Sequence, residues 1–220
     1  MAKTGPFDRN AVEYDRWYEE HRSAYAAELA AVRSILPTYS RPLEIGVGTG
    51  RFAGPLGVHF GVEPSATMRA IAESRGIEVV EAVAENLPFG DGEFDLVLMV
   101  TTVCFLDDLK EAFRESRRVL VDGGWIIVGF LDRETALGRE YEAHRSGSRF
   151  YSVARFRSSA EILGALESAG FGDIAAVQTI FPGDTGDDES APLIREGLGE
   201  GLFAAVRGQK QEMSWPTGRR

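Results

Sequence analysis

The sequence has few of the residues on which covalent and metal chemistry depend. Its 220 residues include one cysteine, Cys104, and three histidines. One cysteine excludes a disulfide within the chain. No partner base can be placed beside Cys104, so we interpret it as a small buried hydrophobic residue and not as a nucleophile. No metal site is expected.

Positive charge and long apolar runs are also scarce. The chain has 24 lysines and arginines against 34 aspartates and glutamates, a formal net charge of −10. This balance argues against the phosphate contacts on which nucleic-acid binding rests. The longest apolar run, residues 96–106, is too short to span a bilayer and contains Thr101 and Thr102, so it predicts a buried strand and its exit. The first residues lack the apolar core of a signal peptide, and a cytoplasmic location is expected.

A glycine-rich turn directly after an apolar strand is the most informative feature that is present. Residues 42–50 read PLEIGVGTG, in which Gly46, Gly48 and Gly50 alternate with other residues. Glycine adopts backbone angles closed to other residues and lets a ligand approach the main chain without meeting a Cβ. Glu63 ends the next predicted strand, where a carboxylate can accept hydrogen bonds from both hydroxyls of a ribose. Together these features predict a nucleotide site.

Short β-branched runs alternate with helical patterns through the middle of the chain. Strands are predicted over residues 42–46, 58–63, 77–81, 94–100 and 124–131. Ser65 is expected to cap one intervening helix, and Asp107 or Asp108 another. Alternation of this kind predicts an α/β fold in which helices cover both faces of a parallel sheet.

The two ends of the chain extend this pattern into a single domain, which is the expectation for a chain of this length. Apolar spacing before Pro37 predicts one or two amphipathic helices. Ser158 and Glu161 form a capping-box pattern that opens a late helix. Two strands, over residues 174–181 and 202–206, should then form an antiparallel pair. The predicted divisions are residues 10–37 (N-terminal helices), 40–131 (core), 132–157 (polar, arginine-rich insertion), 158–207 (final helix and strand pair) and 208–220 (frayed polar tail).

Four blocks in this order resemble the class I S-adenosylmethionine-dependent methyltransferases, in particular the small-molecule branch similar to the quinone-biosynthesis C-methyltransferases. The blocks are the E-x-G-x-G-x-G pattern at residues 44–50, the strand-end acid and following helix at 62–68, A-E-x-L-P-F at 84–89, and F-D-x-V at 94–97 with L-x-x-G-G at 120–124. The resemblance implies a doubly wound, Rossmann-like, mostly parallel sheet of seven strands with the last strand antiparallel.

S-adenosylmethionine is the cofactor that the resemblance implies. The implied cofactor-binding residues are Glu44, Gly46, Gly48, Gly50, Glu63, Pro64, Ser65, Met68, Ala84, Glu85, Val100 and Thr101. Many relatives have an acid before the alanine of the A-E-x-L-P-F turn, whereas this chain has Val83. Adenine recognition is therefore expected from the backbone near Ala84 or from Glu85. The helix after the glycine turn, residues 51–56, is unusually short and contains Gly54 and Pro55.

The methyl acceptor is expected between the N-terminal helices, which fold over the cofactor as a lid in similar enzymes, and the insertion after the fifth strand. Candidate substrate residues are Tyr14, Thr102, Arg149 and Tyr151; candidate general bases are His21, Tyr18 and His144. A lone histidine is more often a surface residue, and Trp17 is better explained by packing. Most arginines of the insertion fit a solvated face, although one or two can clamp a substrate carboxylate or phosphate.

The expected function is methyl transfer from S-adenosylmethionine to a small-molecule acceptor by in-line displacement, for which no dedicated base is strictly required. One alternative is a nicotinamide-dependent oxidoreductase, which fits less well because the third glycine of that fingerprint belongs at position 51 and here stands at Gly50. Another is a non-catalytic module that binds S-adenosylmethionine. The acceptor, its attacking atom and the oligomeric state are left open by the sequence.

Overall fold

The computed structural model describes residues 3–183 and 191–212, and most of the predicted tail, residues 213–220, lies outside them. Within these ranges eight strands form one sheet in the order β3-β2-β1-β4-β5-β8-β6-β7. The strands are β1 Pro42–Ile45, β2 Phe60–Val62, β3 Glu78–Val80, β4 Phe94–Val100, β5 Leu120–Leu131, β6 Phe171–Thr179, β7 Arg195–Glu196 and β8 Phe203–Lys210. The helices are α1 Gly5–Glu20, α2 Arg22–Ser34, α3 Ala53–Leu56, α4 Ala66–Ser74, α5 Leu109–Val119, α6 Ala136–His144 and α7 Ser159–Ser168, with short 3-10 turns at Arg145–Gly147 and Tyr151–Val153.

Strand pairing gives the sheet its direction. β1 to β5 pair in parallel, whereas β8 is antiparallel to both β5 and β6. This confirms the predicted doubly wound, mostly parallel sheet with an antiparallel last strand. The described residues form one strand more than the seven expected. The additional strand is β7, which pairs through two residues with the outer edge of β6.

The last strand is longer than predicted, because its polar end is held by neighbours on both sides. Gln209 pairs with Trp125 of β5, and Lys210 pairs with Phe171 of β6. Assigning residues 208–210 to a frayed tail was therefore wrong. Hydrogen bonds to a neighbouring strand on each side satisfy the backbone N–H and C=O groups of these residues, whatever the polarity of their side chains.

Local hydrogen bonds explain where the helices begin. The Ser65 hydroxyl accepts from Met68 N (3.3 Å) at the start of α4. Asp108, and not Asp107, caps α5 by accepting from two backbone N–H groups. The capping box predicted for α7 is present, with Ser158 and Glu161 bonded reciprocally. These are signals that short stretches of sequence carry by themselves.

The N-terminal helix begins earlier than predicted, at Gly5 instead of residue 10. Pro6 lies in its first turn, where a missing N–H has no consequence. The helix is kinked at Asn10 (φ −137°, ψ 31°), whose amide donates to Pro6 O at 2.7 Å. The extra turn brings Phe7 over the sheet edge where β1, β2 and β4 end. In the part of the chain that is described, no helix is long and apolar enough to cross a membrane.

Candidate active site

A cavity of about 420 Å³ lies at the carboxyl ends of β1, β2 and β4, with α1 above it. Parallel strands collect ligands at this edge because the crossovers open a crevice there. Ten of the predicted site residues line it: Tyr14, Gly46, Gly48, Glu63, Pro64, Met68, Ala84, Glu85, Thr101 and Thr102. The structure therefore brings together residues that are up to 88 positions apart in the chain.

Glu63 is held at the cavity wall by two backbone groups. Its Oε2 accepts from Gly48 N at 3.1 Å, and its Oε1 accepts from Ser65 N at 2.9 Å. The residue is 8 % exposed, and burial raises the pKa of its carboxyl to about 7, against the lowering effect of these two bonds and of Arg69. Each oxygen has a further lone pair available. The carboxylate can therefore accept hydrogen bonds from two donors on a ligand.

The three glycines of the turn are required for three different reasons, and all have positive φ (70°, 56° and 83°). A Cβ on Gly46 would come within 2.5 Å of the Thr102 side chain. A Cβ on Gly48 would meet nothing closer than Met68 Cε at 3.7 Å, in the cavity itself. A Cβ on Gly50 would come within 2.3 Å of Ile77 Cδ1, and Gly50 does not line the cavity. Gly50 thus serves packing against the residue that precedes β3, and Gly48 keeps the cavity side of the turn open.

Glu44 lies beside a narrow space that adjoins the main cavity and is also lined by Tyr18 and Val100. It is 1 % exposed, and its Oε2 is buried with no hydrogen-bond partner among the described residues. Burial raises the pKa of its carboxyl well above the usual value. An orphaned buried carboxylate oxygen is costly unless a donor reaches it. This position fits the ammonium group of an amino-acid-like ligand.

Tyr14 and Tyr18 of α1, the first partly buried and the second buried, form a pair with their hydroxyl oxygens 2.8 Å apart. Burial raises the pKa of Tyr14 to about 12 and that of Tyr18 well above its usual value. Both phenols therefore remain protonated near neutral pH. They can orient a ligand by hydrogen bonding, but neither is available as a base.

The helix α1 is fastened over the glycine turn by charge and by aromatic contacts. Asp15 binds Arg51 at 2.5 Å and Arg75 at 2.7 Å, and these two cations hold the pKa of the Asp15 carboxyl well below its usual range. Phe7 packs edge-on against Tyr14 and Phe105, with ring centroids 5.6 and 4.9 Å apart. The cavity thus has an aromatic cover made by Phe7 and Tyr14 of α1 together with Phe105.

The structure does not bring the histidine candidates into the cavity. His21 is exposed, stacks on Trp17, and has its Nδ1 3.0 Å from Trp17 O. His144 is exposed, with its Nδ1 2.8 Å from Glu140 O. Each ring is bonded to its own helix end, so we do not retain either one as a base.

The two substrate candidates of the insertion, Arg149 and Tyr151, also lie outside the cavity lining. Arg149 is exposed. Tyr151 stacks on Phe105 with ring centroids 6.1 Å apart, one ring behind the cavity wall. Ser65 caps α4 and does not reach the cavity either.

The sequence did not predict two features of the site. Phe7 and Phe105 cover the cavity, and the Glu85 carboxylate accepts hydrogen bonds from backbone N–H groups. Phe7 precedes the predicted start of α1, and Phe105 lies in the apolar run of residues 96–106 but beyond the end of β4, so neither had a periodic signal. Glu85 Oε1 accepts from the backbone N–H groups of Asp107 (2.9 Å) and Asp108 (3.2 Å), which ties it to the start of α5. Glu85 thus lines the cavity beside Val83 and Ala84 while one of its oxygens is engaged by backbone groups. No cluster that could hold a metal ion occurs within residues 3–183 and 191–212.

Comparison with known proteins gives matches along nearly the whole chain. A family described as "Methyltransferase domain" matches residues 43–128. An uncharacterized protein from Methanocaldococcus jannaschii is 44 % identical over 204 residues, which cover 93 % of this chain and 98 % of that protein.

A crystal structure from Thermotoga maritima, described as an S-adenosylmethionine-dependent methyltransferase and possible histamine N-methyltransferase, is 48 % identical. It superposes with a TM-score of 0.89 over 94 % of this chain and 98 % of that chain. A ubiquinone/menaquinone biosynthesis C-methyltransferase from Pseudomonas savastanoi is 30 % identical over 137 residues, 54 % of this chain and 52 % of that protein.

Proposed function

Because this chain belongs to the S-adenosylmethionine-dependent methyltransferases, we propose that it binds the cofactor in the cavity under α1 and passes the methyl group to a small-molecule acceptor. The observation that carries this assignment is the Glu63 carboxylate, fixed by Gly48 N and Ser65 N at the wall of a cavity that Gly46 and Gly48 also line. The comparisons confirm the family inferred from the four sequence blocks.

The residues present fit the cofactor at each of its ends. Glu63 would accept hydrogen bonds from the ribose hydroxyls, and Gly48 leaves room for the ligand against the main chain. The orphaned Oε2 of Glu44 would receive the ammonium group of the methionine part. Met68 and Val83 provide apolar walls for the adenine.

The cofactor itself supplies an electrophilic sulfonium methyl. This chain's contribution is to align the acceptor and to exclude water, and positioning of this kind is worth on the order of 7 to 11 kcal/mol of barrier. Thr101 and Thr102, at the exit of β4, offer hydroxyls beside the cavity, and Phe7, Tyr14 and Phe105 cover it. A cavity of about 420 Å³ is within the range of small-ligand sites. The names of the Thermotoga relative, a possible histamine N-methyltransferase, and of the Pseudomonas relative, a quinone-biosynthesis C-methyltransferase, also denote small acceptors.

The proposal is tested by calorimetric titration of the folded protein with S-adenosylmethionine, S-adenosylhomocysteine and, as a control, NAD. Binding of the first two with no uptake of NAD is expected. A panel of amines, phenols and activated carbon acids then identifies the acceptor by release of S-adenosylhomocysteine. Folded protein that takes up neither adenosyl compound would remove the proposal.

We expect the affinity for S-adenosylhomocysteine to fall as the pH drops below 7. In the free protein the Glu63 carboxyl has a pKa of about 7, raised by burial and by Asp8 and lowered by Arg69. Ribose hydroxyls donate to the carboxylate form, so binding shifts this pKa down and releases a proton. Affinity should therefore weaken by up to about tenfold for each pH unit below 7 and level off above 8.

Calorimetry in buffers of different ionisation enthalpy measures the released proton directly. The Glu63→Gln variant should bind more weakly and show a flatter pH profile. An identical profile in wild type and Glu63→Gln would show that another group titrates.

A second carboxyl, Glu28 on α2, should make the protein less stable at alkaline pH. Glu28 is 4 % exposed, and burial raises the pKa of its carboxyl to about 8. In the unfolded chain the pKa of this carboxyl has its lower, ordinary value. The protonated Glu28 therefore stabilises the fold fully below the unfolded pKa, and this stabilisation decreases as the pH rises and is lost above about 8. Glu28→Gln is expected to raise Tm by on the order of 5 °C at pH 8 and to leave it nearly unchanged at pH 5.

Differential scanning calorimetry of both proteins across this pH range checks the Glu28 prediction. A Tm difference between wild type and Glu28→Gln that does not change with pH would show that the carboxyl keeps its ordinary pKa.

A further inference from the structure

Three arginines meet one glutamate where β5 ends and α7 begins. The guanidinium nitrogens of Arg133, Arg155 and Arg157 lie 3.2, 3.9 and 4.0 Å from the carboxylate oxygens of Glu161. The same carboxylate also accepts from Ser158 N at 2.9 Å, as part of the capping box of α7. One negative charge on Glu161 is therefore shared by three guanidinium groups, and those of Arg155 and Arg157 stand beyond hydrogen-bond distance from it.

The nearby Asp132 does not relieve this excess of positive charge. It is 2 % exposed, its Oδ1 accepts from Glu134 N at 3.0 Å, and its Oδ2 accepts from the Ser159 hydroxyl. The cluster of Arg133, Arg155 and Arg157 thus keeps donors that the surrounding carboxylates do not occupy.

Arg157 is the member of the cluster that most needs a further partner. It is 7 % exposed, and its Nε is buried with no hydrogen-bond partner among the described residues. Burial and the neighbouring charges of Arg155 and Arg133 lower the pKa of its guanidinium. A buried cation with an unused donor is costly unless an anion pairs with it.

The position of the cluster links it to the cavity. Arg155 N donates to Cys104 O at 2.7 Å, and the backbone of Arg157 pairs with that of Asp132 just after β5 in an isolated parallel β-bridge. Cys104 lies between Thr102 and Phe105, which both line the cavity. α7 leads into β6, so its start lies at the same edge of the sheet as the ends of β4 and β5.

We propose that Arg133, Arg155 and Arg157 form an anion site that receives a carboxylate or phosphate group carried by the methyl acceptor. Guanidinium groups bind either anion in a two-pronged geometry, which suits both affinity and orientation. The site would hold the remote end of the acceptor while its nucleophilic atom faces the cofactor. This inference rests on the proposed methyl transfer and adds the charge class of the acceptor.

The first test uses inorganic phosphate as the probe. Phosphate at constant ionic strength is expected to raise the Tm of wild type, and this rise should be lost in Arg157→Gln and only weakened in Arg157→Lys. Arg149→Gln is the matched control, because Arg149 is an exposed arginine of the same insertion. No rise in wild type, or an equal rise in Arg157→Gln, would overturn the anion site.

The second test separates a site for the acceptor from a site for free phosphate. Acceptors with a carboxylate or phosphate are compared with their neutral amides or esters. Anionic acceptors should be preferred, and in Arg157→Gln their KM should rise at least tenfold while the KM of neutral acceptors is unchanged. A wild type that prefers neutral acceptors would overturn the assignment to the acceptor.

Calorimetric affinity for S-adenosylhomocysteine distinguishes this inference from the proposed function. It should be equal in wild type, Arg157→Gln and Arg149→Gln, which also shows that the variants fold. Normal cofactor binding without a phosphate effect would remove the anion site alone. Loss of cofactor binding in wild type would remove both.

Discussion

Glu63→Ala is expected to weaken S-adenosylhomocysteine binding at least about 100-fold. The variant removes a charged acceptor that is already positioned by Gly48 N and Ser65 N. Hydrogen bonds to a charged group contribute roughly 1.5 to 3 kcal/mol each, and the loss of two ribose contacts therefore corresponds to a factor of about 100 or more. Isothermal titration calorimetry measures the change.

Glu81→Ala is the matched control for Glu63→Ala. Glu81 follows β3, where it is exposed and pairs with Arg69 at 2.6 Å. Glu81, like Glu63, is a glutamate just after a strand of the sheet, but it does not line the cavity. Because an exposed ion pair contributes little, the affinity of Glu81→Ala for the cofactor should stay within about twofold of wild type. Equal losses in both variants would show that general charge, and not a ribose contact, is being measured.

Glu63→Ala also leaves the N–H groups of Gly48 and Ser65 without their partner, so part of the effect can arise in the free protein. Thermal melts of the unliganded variant separate the two contributions. A lower Tm with unchanged affinity would assign Glu63 a structural role in the glycine turn and remove it from the ribose site.

Gly48→Ala is expected to reduce the affinity for the cofactor to a similar extent, about 100-fold. The cause here is a methyl group that occupies space needed by the ligand, and not the loss of a charge. Its Cβ would stand in the cavity, 3.7 Å from Met68 Cε and 4.0 Å from Tyr14 Cε1, where a ligand must approach the backbone. The fold has room for this methyl group. The variant should therefore remain folded, with a stability loss of about 1 kcal/mol for an alanine at φ 56°.

Gly57→Ala reproduces that backbone strain away from the cavity. Gly57 has φ 70° at the end of α3, and its Cβ would meet only the Tyr39 hydroxyl at 3.8 Å. Both variants should lose similar stability, but Gly48→Ala alone should lose binding. If Gly57→Ala lost as much affinity, strain in the fold would explain the result.

Gly50→Ala should behave in the opposite way to Gly48→Ala. Its Cβ would come within 2.3 Å of Ile77 Cδ1, so this variant should lower Tm, while the protein that remains folded should bind the cofactor nearly normally. Together, Gly48→Ala, Gly57→Ala and Gly50→Ala distinguish a glycine needed for ligand binding from one needed for packing. The G-x-G-x-G pattern alone does not show this difference.

The sequence by itself determined the alternation of strands and helices, the starts of the helices at Ser65 and Ser158, and the association of the glycine turn with Glu63. Each of these depends on hydrogen bonds or periodicity within a few residues, or on motifs whose spacing is set by the geometry of a strand, a turn and a helix. The family and the sheet follow from them, and the comparisons and the structure confirm both.

Only the tertiary structure decided which members of each candidate set meet. It assigned Gly50 to packing against Ile77, placed His21 on the surface, and buried Arg157 while leaving Arg149 exposed. These outcomes depend on contacts between elements far apart in the chain. The polarity of a side chain shows what it can bind, but its partners are set by the packing of distant strands and helices against one another.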